Sequence, residues 1–178
     1  MPMIEPRSGK AIVDVSVPDE LYWVLDTPAP LAGMKYPRRG FPWSEAAKAG
    51  FTRLVALHPG EYDPAPLTLL SSEKLEDLIH GGLPRSPARE REKIGAIVRS
   101  VVAALQAGDG VIVHCVGGRG RTGTVLGCVL REVGYGPGEV IDFLDRVHKA
   151  RGTAGWPESP WQGEQVRGWR SDSNVDLV

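Results

Sequence analysis

Thirteen consecutive residues constrain this chain more than any other stretch: Val111-Ile-Val-His-Cys-Val-Gly-Gly-Arg-Gly-Arg-Thr-Gly123. The apolar run Val111 to Val113 has the character of a buried strand, and it ends in His114 and Cys115. A glycine-dense loop follows, and beyond Arg121 apolar residues recur at helical spacing. The layout is strand, tight loop, helix N-terminus, with a thiol at the loop entrance and five residues between it and a guanidinium. Such a loop can turn backbone N–H groups inward and adds the positive end of a helix dipole, and both favour an anion. The same field favours Cys115 as the thiolate, its nucleophilic form. An anion cradle with a nucleophile at its floor suits a phosphate ester.

The 178 residues are enough to bury one core without staples. They divide into a loose, Pro- and charge-rich arm at 1–10, a folded domain at 11–170 and a tail at 171–178. A formal net charge of −1 gives no basic field for nucleic acid and no acidic tail. Lys and Arg are dense around Arg85–Arg99, but acidic residues alternate with them, which reads as a solvated helix face. Two cysteines make no disulfide framework, and Cys128 sits within an apolar helical pattern. No apolar run approaches the ~20 residues that span a bilayer, and Met1–Arg7 lacks the apolar core of a signal peptide. These features predict a cytoplasmic protein with no membrane partner; they leave the oligomeric state open.

Along the chain, β-branched and aromatic residues predict strands at Ala11–Val17, Leu21–Leu25 and Phe51–Leu57. Trp43–Ala49 is expected as a brief helix with Ser44 as N-cap and Gly50 beyond its end. Glu61–Leu70 reads as loop, Ser71–Ile79 as short helix giving way to strand, and 80–87 as a turn-rich loop. Longer helices are predicted over Ala88–Ala107, Thr122–Val133 and Glu139–Ala150, with a last short one at Pro160–Trp169. Alternating strands and helices imply an α/β fold with a central, mainly parallel sheet flanked by helices. The Cys115 loop would then lie at a strand carboxyl end, where such sheets bind ligands.

His114-Cys115-x5-Arg121-Thr122-Gly123 resembles the signature of the cysteine-dependent protein tyrosine and dual-specificity phosphatases, every fixed position being filled. Leu31-Ala-Gly-Met-Lys-Tyr36 is similar to an early strand of the small members, and the likeness extends to the last helix. The resemblance implies a cysteine-phosphatase fold over 11–170 that hydrolyses a phosphorylated protein or small phosphate ester. It implies no metal and no organic cofactor. Cys115 would attack phosphorus to form a phosphocysteine that water then hydrolyses. Val116, Gly117, Gly118, Arg119 and Gly120 would line the phosphate, and Arg121 would clamp two of its oxygens through paired N–H donors. Arg119 itself is read as facing solvent or substrate. Thr122 either donates to the sulfur or caps the helix, and His114 supports the loop by hydrogen bonding.

In such enzymes the proton for the leaving group comes from an Asp thirty-odd residues before the cysteine, in an Asp-x-Gly-x-Pro setting. Here His80-Gly-Gly-Leu-Pro84 occupies that place, with His80 where the aspartate would be. An imidazolium can act as the acid; Asp77, three residues earlier, and Asp63, in the preceding loop, are the other candidates. Trp156–Gln165 resembles a C-terminal glutamine loop, so Gln162 or Gln165 would orient the attacking water. Trp156 and Trp161 either line the pocket mouth or pack in the core. Two other readings remain. A phosphate-binding pseudophosphatase or adaptor would keep the cradle without a competent acid. A dinucleotide site would use Gly118-Arg-Gly-Arg-Thr-Gly123 with Asp142, although that Asp sits in a helical pattern.

Overall fold

The computed structural model describes residues 7–8 and 20–171. The strand expected at Ala11–Val17 lies outside the described residues, as do the tail beyond Ser171 and most of the arm. Arg7–Ser8 of that arm forms a short edge strand, β1, rather than loose chain.

The other elements are β2 (Tyr22–Leu25), β3 (Leu31–Met34), α1 (Trp43–Lys48), β4 (Phe51–Ala56), β5 (Thr68–Ser71) and α2 (Pro87–Gln106). Then come β6 (Gly110–His114), α3 (Gly120–Glu132), α4 (Pro137–Ala150) and α5 (Pro160–Arg167). Six strands form one sheet in the order β1-β2-β3-β6-β4-β5. The β3–β6, β6–β4 and β4–β5 pairs are parallel, and β1–β2 and β2–β3 are antiparallel. The expected mainly parallel α/β sheet is therefore present, with β6 at its interior.

Period-two alternation along β6 makes the sheet two-sided. Val111 and Val113 join one core with Leu31, Val55, α2, α3 and α4 residues, and Ile112 joins a second with Met34, Trp43, Ala46 and Phe51. The larger core, under four helices, anchors α3 directly behind the loop that leaves β6. Every residue of β6 is buried, so this strand offers the loop a rigid base.

Three local expectations are corrected. The N-cap position of α1 is Pro42, not Ser44, so the proline's fixed φ rather than a hydroxyl starts that helix. The proline-containing loop at 61–70 runs into β5, which takes the sheet edge beside β4. Residues 72–78 form neither helix nor strand. Leu75 and Leu78 point into the core while Glu73, Lys74, Asp77 and Ile79 are exposed, a three-residue spacing that mimics a helix without its ladder. The dinucleotide alternative also loses its acid: Asp142 lies within α4, not at a strand end.

Candidate active site

Cys115 follows the last residue of β6 and is buried. Its neighbourhood is set by where the loop's carbonyls go. Cys115 O accepts from His114 Nδ1 (3.0 Å), Val116 O from the Tyr36 N–H (2.8 Å), and Arg119 O from the Gly123 N–H (2.6 Å). Gly118 O accepts from the Tyr22 hydroxyl (2.6 Å) and Arg151 Nη1 (3.2 Å). Gly120 O accepts from Thr124 Oγ1 (2.8 Å) and the Trp156 indole (3.3 Å). With the acceptors tied to the surrounding protein, the N–H groups of Val116, Gly117, Gly118 and Arg119 have no partner among the described residues. Those of Gly120, Arg121 and Thr122 are the unpaired donors of the first helical turn. The arrangement is a nest of donors at the positive end of a 13-residue helix.

Gly118 is required in this loop. Its φ is +67°, and a Cβ would come within 2.5 Å of the Met34 carbonyl and the Lys35 nitrogen. Gly118→Ala should therefore destabilise the fold by about 2 kcal/mol and weaken phosphate binding in parallel. Chemical denaturation and phosphate titration check it, and a variant equal to wild type in both would contradict it.

His114 is fully buried and serves the loop from below. A carbonyl only accepts, so Nδ1 carries the proton toward Cys115 O, and Nε2 accepts the Tyr62 hydroxyl. Burial holds the His114 pKa below its ordinary value despite that bond, which keeps the ring neutral. Burial also pushes the Tyr62 phenol up to about 12, so its hydroxyl keeps its proton.

A second brace stands behind Gly118. Arg151 lies over the Tyr22 ring at 4.4 Å and donates to His148 Nδ1 at 2.8 Å. Burial, then the charge of Arg151, lowers the His148 pKa from 6.5 to about 3. Protons therefore bind the unfolded chain more readily than the folded one between these values. Stability is fully present above pH 6.5 and is lost as pH falls toward 3, at up to ~1.4 kcal/mol per pH unit. Urea denaturation at pH 7, 6 and 5 should show this slope, and His148→Gln should flatten it. An unchanged slope in the variant would rule out His148 as its source.

The guanidinium of Arg121 is buried, with Nη2 3.4 Å from Asp77 Oδ2 and Nη1 3.5 Å from Leu75 O. Arg121, Asp77, His58, Lys74, Val116 and Leu83 are among the residues lining an open pocket of about 540 Å³. His80 is exposed and does not line it; Asp63 is also outside, its carboxylate accepting the Ala65 N–H. Of the three candidate acids, only Asp77 reaches Arg121. The 75–79 segment is fixed from both sides: Leu57 O accepts the Leu75 N–H (3.1 Å) and Glu90 Oε2 accepts the Glu76 N–H (3.1 Å).

Several other assignments change. Arg119 does not face solvent or substrate: its side chain turns to Glu158 and Gly155. Thr122 is the third residue of α3 and not its cap; its buried hydroxyl has no partner among the described residues. Gln162 Oε1 accepts the N–H groups of Glu158 (2.9 Å) and Ser159 (3.3 Å), so that oxygen is committed to the start of α5. Gln165 donates to Trp161 O and lines a separate groove with Arg91 and Arg99. Trp156 and Trp161 are buried rather than at the pocket mouth. Sequence reading missed Tyr22, Tyr62, Arg151 and Glu158, which lie 33 to 96 residues from the residues they serve. Among the described residues, no group of three or more His, Cys, Asp or Glu side chains could hold a metal ion, and no helix is long and apolar enough to cross a membrane.

Comparison with known proteins agrees with this geometry. Residues 18–156 match the model of PTP-SAK, described as a Swiss Army Knife protein, DSP-PTPase phosphatase domain. Human DUSP28 superposes with a TM-score of 0.62 at 22% identity, over 86% of this chain and 94% of that one. P. aeruginosa TpbA gives 0.60 at 18% identity, over 84% of each chain. Tk-PTP in its active form gives 0.56 at 23% identity, over 78% and 90%. The chain belongs to the PTP-SAK family of DSP-PTPase domains, the dual-specificity and tyrosine phosphatases that hydrolyse phosphoric monoesters.

Proposed function

We propose that this protein hydrolyses phosphate monoesters in two steps through Cys115. The observation that carries this reading is the outward fixing of the loop carbonyls, which leaves the N–H groups of 116–121 without partners among the described residues, next in sequence to the buried Cys115. The phosphate dianion occupies that nest, and Arg121 turns from Asp77 to two of its oxygens. Positioning and charge stabilisation of this kind supply most of the catalysis in phosphoryl transfer. Cys115 attacks phosphorus, the ester bond breaks, and Asp77 protonates the departing oxygen. Asp77 then accepts a proton from the water that attacks phosphocysteine, while the unpartnered Thr122 hydroxyl donates to the departing sulfur.

The substrate is a phosphorylated protein side chain or a small phosphate ester. TpbA has been seen in complex with pTyr and PTPMT1 in complex with PI(5)P, so one fold accommodates both chemistries. The pocket's rim joins the half-exposed Val116 and exposed Leu83 to the Lys74 and Arg85 cations. That mixture suits an aromatic or aliphatic stem flanked by acidic groups. Phosphate release should be measured from p-nitrophenyl phosphate and from phosphotyrosine, phosphothreonine and inositide panels. Turnover of at least the activated ester is expected. Phosphate binding without turnover of any substrate would instead establish the adaptor.

A further inference from the structure

Arg119 contributes its backbone N–H to the nest, but its side chain has no part in the chemistry above. Its Nη2 lies 3.0 Å from Glu158 Oε1 and its Nη1 donates to Gly155 O at 3.0 Å. The two side chains are only 17% and 11% exposed, so the pair is largely out of water. The second carboxylate oxygen lies over Gly120, where an added Cβ would meet Glu158 Oε2 at 1.7 Å. A carboxylate is thus packed against the first residue of α3, beside the donors that form the anion nest. Glu158 is itself held there, its N–H donating to Gln162 Oε1.

This placement contains a conflict. An uncompensated carboxylate at Gly120 would repel an incoming phosphate dianion. Removing one partner of a largely buried pair strands the other charge, which is more costly than losing an exposed pair.

We propose that Arg119 and Glu158 are a positioning pair. Glu158 seats Gly120, and with it the start of α3, while Arg119 cancels the charge that this seating brings to the phosphate site. Neither side chain touches phosphate; both act through Gly120, whose carbonyl is held by Trp156. The proposal rests on the reading of residues 116–121 as the phosphate nest. It also explains why a loop with five variable positions carries Arg119 and Gly120 in succession: one meets the carboxylate and the other makes room for it.

Calorimetric titration with inorganic phosphate and steady-state kinetics on p-nitrophenyl phosphate test it. Four proteins are needed: wild type, Arg119→Ala, Glu158→Gln and the double variant. Arg119→Ala should weaken phosphate binding about tenfold and raise KM similarly, with a smaller change in kcat. Glu158→Gln should bind phosphate at least as tightly as wild type, with kcat several-fold lower because Gly120 is less firmly seated. The double variant should recover the affinity that Arg119→Ala loses. Equal weakness in Arg119→Ala and the double variant would make Arg119 a direct phosphate ligand and overturn the proposal. So would Arg119→Ala binding like wild type. If Arg119→Ala does not fold, Glu158→Gln decides, since weaker binding than wild type contradicts the assignment. A wild-type protein that binds no phosphate would overturn the nest itself, and this role with it.

Discussion

Replacing Cys115 by serine reduces turnover of p-nitrophenyl phosphate at least ~10⁴-fold, the scale seen when a nucleophile is removed from a working unit. Binding of inorganic phosphate should stay within about threefold of wild type, because the nest rather than the sulfur supplies the binding energy. The split follows from the geometry. The donors belong to Val116 through Thr122, and their orientation is fixed by Tyr36, Tyr22, Arg151 and Trp156, none of which depends on the thiol. The other cysteine, Cys128, cannot substitute. It is fully buried in α3, and burial holds its thiol well above the ordinary range. Loss of binding together with turnover in Cys115→Ser would mean that the sulfur organises the loop, contrary to this account.

Asp77→Asn should slow hydrolysis of a phosphotyrosine peptide by ~10²–10³-fold, the usual contribution of a positioned acid. The same variant should slow p-nitrophenyl phosphate by less than about tenfold, because p-nitrophenolate departs without a proton. His80→Ala should change neither rate by more than about twofold, since a side chain outside the pocket lies beyond hydrogen-bond reach of the leaving oxygen. The reverse pattern would show that the turn at 80–83 closes over the substrate and delivers His80. Gly81 has a φ of +80°, and a Cβ added there would lie 3.9 Å from Glu158 O, so that turn sits beside the segment leading into α5.

The centre of the site was legible because its determinants are local. Strand, loop and helix N-terminus are contiguous from Val111 to Gly123, and the cysteine and arginine fall at the spacing that such a loop imposes. Helices α2, α3 and α4 were legible for the same reason, since each carries its own apolar stripe. The acid was not. Residues 72–79 have no regular hydrogen-bond ladder, and Asp77 reaches Arg121 only because Leu75 and Leu78 anchor the segment in the core. The resemblance in sequence favoured His80 by position, whereas the packing presents a side chain three residues earlier. Arg119 was read as facing solvent or substrate because its partner lies 39 residues away in a segment whose glutamines drew attention instead. The supports at Tyr22 and Arg151 are similarly non-local: an unremarked strand tyrosine and the residue just past α4 meet at one carbonyl.

The central claim is that phosphate passes through a covalent bond to Cys115. Rapid quenching of wild-type enzyme in steady turnover of p-nitrophenyl phosphate, followed by peptide mass spectrometry, tests it directly. The account predicts a phosphate adduct on the peptide containing Cys115, accumulating further when departure of the sulfur is impaired by Thr122→Ala. Turnover with no adduct under either condition, or with phosphate attached to any other residue, would contradict it.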